Sequence, residues 1–180
     1  MAIDGKERMI LGSGDLYIIE FLGSIPATPT IEVPINKLGA ISGGASLEYK
    51  ADWVEFSDDS GAVSKSMLIK EEVIFRSGLI TLNGNTLKRI CSTARVTEAS
   101  GVRTVKVGGI GSDNGKKYIV HFVHKDAADG DIRVSIVGKN QKGFSFSFST
   151  KNPVADIEFK AAPQDSEGTL VLYREQIPVV

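Results

Sequence analysis

A mainly-β fold is what this sequence predicts: an antiparallel β-sandwich or barrel with one flanking α-helix, a long projecting hairpin and an extended N-terminal arm. Three observations carry that expectation. Apolar and polar residues alternate at period two in several runs, most cleanly in Phe144-Ser145-Phe146-Ser147-Phe148-Ser149, which is the pattern of a half-buried strand. From Gly101 onward such runs follow one another closely, with turn residues between them, as in all-β sandwiches and barrels. Only one stretch, around Leu87 to Ala94, has helical spacing.

The 180 residues fit a single domain, 1–180, large enough to bury a core without disulfides or metals. Hydrophobic residues make up 42% and charged residues 24%, a globular balance that excludes wholesale disorder. A formal net charge of −1 gives no basic footprint for tight phosphate-backbone binding. The single cysteine, Cys91, excludes an internal disulfide and fits a reducing compartment. Met1 to Arg8 lacks the apolar stretch of a signal peptide, and no apolar run approaches the roughly 20 residues of a membrane helix. A soluble, unsecreted chain that binds no membrane is expected.

Residues 1–14 are polar and glycine-punctuated and read as the arm. Asp15 to Leu22 is a strand with apolar residues on both faces, which implies burial on both sides, in a core or under a partner. Gly23 to Gly44 carries Pro26, Pro29 and Pro34 and reads as an extended linker, because proline fixes φ and removes a donor. Leu47 to Trp53 and Met67 to Arg76 are the two strands of a hairpin. Between them, 57–66 is a small and charged tip, long beside the usual 2–5 residues of a hairpin loop.

Asn83 or Asn85 can cap a helix of about ten residues with Leu87, Ile90, Cys91 and Ala94 on its apolar face. Strands follow at Val102–Val107, Lys117–His124, Ile132–Ile136, Phe144–Ser149, Asp156–Lys160 and Thr169–Tyr173. The turns between them are rich in glycine, Asn114-Gly115 among them.

Chemistry is harder to find. Gly12-x-Gly14 and Gly109-x-Gly111 are fragments of nucleotide loops, but neither opens a helix and Lys117 stands where a P-loop needs serine or threonine. His121 and His124, the only histidines, point to opposite faces of one strand and do not chelate one metal. Asp126, Asp129 and Asp131 suggest a calcium loop, yet Ala127 and Ala128 sit where such loops place oxygens. Asp58-Asp59 and Glu71-Glu72 are adjacent on their strands and diverge, whereas acid–base pairs converge across a pocket. With no nucleophile elbow, HExxH or ordered Ser/His/Asp set, the expectation is a non-enzyme with no cofactor and no metal.

Several phrases together resemble the major tail tube proteins of long-tailed bacteriophages, especially those of Gram-positive hosts. They are Ile10-Leu11-Gly12-Ser13-Gly14-Asp15-Leu16-Tyr17, the lead-in Gly43-Gly44-Ala45-Ser46-Leu47-Glu48-Tyr49, the polar hairpin tip, the single mid-chain helix and the Phe144–Ser149 run. The resemblance covers most of the chain. It implies a homo-oligomer of hexameric rings stacked into a tube, synthesised in the host bacterial cytoplasm and built into the virion. Double-stranded DNA passes through such a tube without specific binding, and the tape measure, tail terminator and distal tail proteins are implied neighbours.

The residues implied in subunit and ring contacts are Asp58, Asp59, Ser60, Gly61 and Lys65 at the tip, with Ile10, Leu11, Pro29 and Pro34. Glu48, Asp52 and Glu55 are implied to face the lumen, where acidic groups let DNA slide. Two alternatives stand beside this: another ring-forming component, such as a contractile-tail inner tube or distal tail protein, and a ligand-binding β-barrel lined by Phe144, Phe146 and Phe148.

Overall fold

The computed structural model describes residues 14–61, 64–127, 130–145 and 155–176. Strands dominate, and all their pairings are antiparallel. β1 (Asp15–Glu20) pairs along its length with β7 (Tyr118–His124), and β7 pairs with β8 (Ile132–Asn140). The other edge of β8 is shared by β9 (Ala155–Ala161) and β10 (Val171–Glu175). β9 passes the sheet to β4 (Ser64–Leu79), which pairs with β3 (Ile41–Ser57). At the far end β2 (Lys37–Gly39) pairs with β1.

β2 and β3 are thus the two ends of the sheet, yet only Ala40 separates them in the chain. Ala40 N–H donates to Thr81 Oγ1 at 2.7 Å, and Ile80 N–H donates to Ala40 O at 2.9 Å, which ties the bend to the end of β4. The sheet curls until its ends meet in one bent segment, and an antiparallel sandwich closed like a barrel results. Gly39 sits at the bend with φ +147, where a Cβ would lie 2.6 Å from Thr81 O, so glycine is required there.

The interior follows from the register. Leu16 opposes Phe122 and Ile18 opposes Val120 across β1–β7, and Val120 opposes Ile136 across β7–β8. Leu38, Val73, Phe75, Leu79, Ile157 and Phe159 complete a dry core. α2 (Gly84–Ile90) packs Leu87 and Ile90 against it. Asn83 caps this helix, its Oδ1 accepting from the N–H groups of Asn85 and Thr86 at 2.9 and 3.0 Å, as an N-cap asparagine does. The flanking helix is where the sequence places it, but it ends at Ile90; Cys91 is already extended and Ala94 lies beyond.

Several expectations need correction. The segment 23–44 is not an extended linker. It forms α1 (Thr28–Ile31), a 3-10 turn at Pro34–Asn36, β2 and the start of β3. Pro29 and Pro34 each stand at a first helical turn, where the missing N–H costs nothing and the fixed φ favours the turn. Ile31 and Ile25 pack with Tyr17, Ile19 and Val123 on the outer face of β1 and β7. That explains a first strand apolar on both sides: its cover is its own chain.

The tip is shorter than 57–66, because the strands run on to Ser57 and resume at Ser64. A strand at Arg95–Ala99, β5, was not foreseen; it pairs with β6 (Val102–Lys106) as a separate two-stranded sheet. Of the Phe144–Ser149 run, Phe144 and Ser145 carry no regular structure, although Phe144 packs on the core. Phe146 to Ser149 lie outside the described residues, as do the arm residues 1–13 with Ile10 and Leu11.

Gly138 pairs with Ala161 where β9 joins β8. A Cβ there would meet Lys160 O at 2.1 Å, so backbone would have to move. Gly138→Ala is expected to lower the unfolding free energy by about 1–3 kcal/mol in urea titrations, whereas Gly111→Ala, with nothing within 4 Å, stays within about 0.5 kcal/mol.

Candidate functional site

β3 and β4 are the longest elements, at 17 and 16 residues, and only their inner halves belong to the body. Burial along β4 switches at Glu72: Val73, Ile74 and Phe75 are buried, while every residue from Ser64 to Glu71 is exposed. β9 ends the explanation, since it pairs with Ile74 to Leu79 and no further. Beyond that point, among the described residues, the two strands pair only with each other, as a two-stranded ribbon extending roughly 25–30 Å at about 3.3 Å per residue.

Apolar side chains continue onto this ribbon without cover. Trp53 is 59% exposed, Phe56 57%, Tyr49 55% and Ile69 55%, and Met67 and Leu68 are also open to solvent. By the pairing of Tyr49 with Val73 and Trp53 with Leu68, Tyr49 and Trp53 continue the face that is core further in. Phe56 and Val54, paired with Lys65 and Met67, lie on the other. Exposed apolar groups this numerous on one element mark an interaction surface. In addition, among the described residues β3 pairs only with β4, so its outer edge has no strand partner there and is a template for another strand.

Charges on the opposite face form a ladder across three strands. Arg76 donates to Glu48 at 2.6 Å and to Glu158 at 2.8 Å, and Lys160 pairs with Glu72 at 2.7 Å. Lys50 approaches Glu48 at 3.1 Å, and Lys70 lies 3.8 Å from Asp52 and 3.9 Å from Glu72. Hydrogen bonds from Arg76 and then Lys50 hold the Glu48 carboxyl below the usual range. Such exposed pairs add little stability each, but they keep the face polar and set cross-strand register. An open concavity of about 420 Å³ lies beside the ladder at the Gly43–Gly44 bulge, bordered by Arg76, Lys142, Glu158 and the exposed Asp156; Arg76 and Lys142 both pair with Glu158.

The residues singled out in the sequence distribute as follows. Asp58, Asp59, Ser60 and Gly61 sit exposed at the ribbon's end, with Lys65 on the return strand. Asp58 accepts from the Ser60 hydroxyl. Pro29 and Pro34 are exposed on the α1 segment, away from the tip in the fold. Glu48 and Asp52 share the ladder face, whereas Glu55, paired with Ser66, falls with Trp53 on the other. The three acids therefore do not make one stripe.

A buried polar chain was missed. His121, wholly buried, places Nδ1 2.7 Å from Ser135 Oγ and Nε2 3.1 Å from Glu32 Oε1. Glu32 also accepts from Arg133 Nε at 2.6 Å, and Arg133 reaches Asp131 at 2.9 Å. A carboxylate only accepts, so Nε2 carries the proton and Nδ1 accepts from the Ser135 hydroxyl. The order is that of a Ser/His/acid relay, but Ser135 is itself buried on β8 and no substrate reaches it. The chain acts as a clasp: Glu32, just past α1, fastens the 28–36 segment to the body.

Among the described residues no three His, Cys, Asp or Glu side chains group as a metal site, and no helix is long and apolar enough to cross a membrane. The core is filled by Phe159, Leu16, Ile18, Ile136 and their neighbours. Neither a protein-family model nor a curated protein matches the chain.

Burial pushes the Glu32 carboxyl up, but hydrogen bonds from Arg133 and His121 outweigh it and leave it below the usual range. Burial pulls His121 below the usual imidazole range despite Glu32. His121 thus contributes stability in full above about pH 6.5, lost as pH falls toward its folded value; the Glu32 contribution persists to about pH 4.5 and is lost below. Unfolding free energy is therefore expected to decline on acidification from pH 7, and His121→Asn to flatten the first part of that decline. Glu32→Gln should cost about 1–3 kcal/mol at pH 7, measured by denaturant titration.

Proposed function

We propose that this chain is a structural subunit that polymerises with copies of itself, and that the polymer is a tube of stacked hexameric rings. The single observation that carries the reading is the outer half of the β3–β4 hairpin. It is a long ribbon with exposed Tyr49, Trp53, Phe56, Met67 and Ile69 and an edge that has no strand partner among the described residues. Each such side chain is already about half covered, and covering the rest contributes about 1 kcal/mol. Head-to-tail contacts of this kind close into rings or run into filaments, and a tube combines both.

The resemblance to phage tail tube proteins supplies the rest of the reading. The tube is a virion component, it conveys double-stranded DNA, and it ends against other tail proteins. A near-neutral chain whose outer hairpin carries paired charges suits a wall that does not hold phosphates. The filled core lends no support to a ligand-binding barrel.

Negative-stain microscopy across a concentration series tests the proposal directly. Rings or hollow tubes are expected; a monomer persisting to high concentration refutes it. Replacing 58–63 by a two-residue turn, which keeps Ser57 opposite Ser64, is expected to abolish polymerisation while leaving the melting transition of the body intact. Trp53, the sole tryptophan, should shift its emission to shorter wavelength on assembly, and an emission unchanged in the polymer would remove the hairpin from the contact.

A further inference from the structure

The separate sheet β5–β6 has two dissimilar faces. Val96, Val105 and Arg103 turn toward α2, and Gly84 lets them in: a Cβ there would lie 2.5 Å from Arg103 Cδ and 2.9 Å from Val105 Cγ2. The other face carries three directly opposed pairs, Arg95 with Lys106, Thr97 with Thr104, and Ala99 with Val102. All six residues are exposed.

Like charges directly opposite destabilise a ladder, and a two-stranded sheet is marginal to begin with. Arg95 has a neutral partner, the hydroxyl of Ser112. Lys106 has no ion pair among the described residues, so nothing there neutralises the two cations. Val102 at one end of the strip, and Val107 and Ile110 past the other, are exposed apolar groups; Ile110 is 97% exposed.

The outer hairpin has the complementary character. Between residues 52 and 69 it carries Asp52, Glu55, Asp58 and Asp59 against Lys65, with Phe56 exposed beside them. Asp59 has no ion-pair partner among the described residues. We infer that the outward face of β5–β6 receives the acidic hairpin tip of a second copy of this chain, the Arg95–Lys106 pair facing Asp58 and Asp59. The inference rests on the self-assembly reading and names the surface that completes it. The contact is heterologous, one patch on each copy, so it propagates from copy to copy.

Two double variants test it by assembly measured in sedimentation or light scattering. Asp58→Lys with Asp59→Lys makes the tip basic, and Arg95→Glu with Lys106→Glu makes the strip acidic. Each alone sets like charges against each other and should raise the concentration needed for assembly by at least about tenfold. Their equimolar mixture restores complementarity at every contact, tip to strip in alternation, and should assemble near the wild-type concentration. Co-assembly also demonstrates that both variants fold.

As a second measurement, Asp59→Cys and Thr104→Cys chains, each with Cys91→Ser, should form a disulfide-linked heterodimer on mixing. If each reversed variant assembles alone as wild type does, or if the mixture fails where both variants melt normally, this contact is wrong and self-assembly stands. If wild type itself never leaves the monomer, both readings fall.

Discussion

The structure turns on a strand pair longer than the body that anchors it. β4 changes from exposed to mostly buried at one residue, Glu72, with Arg76 alone half-buried beyond it, because β9 reaches only as far as Ile74. Inside that line the hairpin is core. Outside it, aromatic and aliphatic groups have no cover among the described residues, and a lone two-stranded ribbon is marginal in water. The cross-strand Tyr49–Glu71 hydrogen bond at 2.7 Å and the charge ladder hold the register locally. They do not remove the apolar surface, and that surface is what the self-assembly proposal rests on.

The rest of the molecule serves as a rigid mount. The bent β2–β3 segment joins the two ends of the sheet through the chain and is tied to the end of β4 by Thr81 and Ile80. α2 packs on the core, with Thr86 Oγ1 donating to Leu38 O at 3.0 Å and Arg89 reaching the carbonyls of Ile18 and Ile35 at 3.2 and 3.1 Å. The Glu32 clasp fastens the 28–36 segment over β1 and β7. A hairpin projecting from a firm base loses less entropy on docking than a mobile loop would, so the apolar groups at its outer end count for more in association.

Much of this was legible in the sequence, for identifiable reasons. Period-two alternation announced β3 and β4, and helical spacing with an asparagine cap announced α2. The expected tip is too long mainly on its return side: Ser64-Lys65-Ser66 pair with Ser57, Phe56 and Glu55 but are polar and show no apolar alternation. α1 escaped because a proline-rich stretch reads as extended, whereas Pro29 and Pro34 stand at first turns, where proline is tolerated. β5 escaped because Arg95-Val96-Thr97-Glu98-Ala99 has a single half-buried apolar residue; the Ser100-Gly101 turn, with φ +51 and +77, was the available signal. The His121–Ser135–Glu32 clasp joins positions 14 and 89 residues apart, and no local pattern reveals such a meeting.

Hydrogen exchange at the backbone amides of 50–57 and 64–71, compared between dilute monomer and concentrated protein, probes the central claim most directly. Amides facing solvent along β3 and around the tip are expected to exchange fast in the monomer and slowly in the assembly, while β7 and β8 stay protected in both. Assembly that leaves the outer hairpin exchanging at its monomer rate would contradict the account.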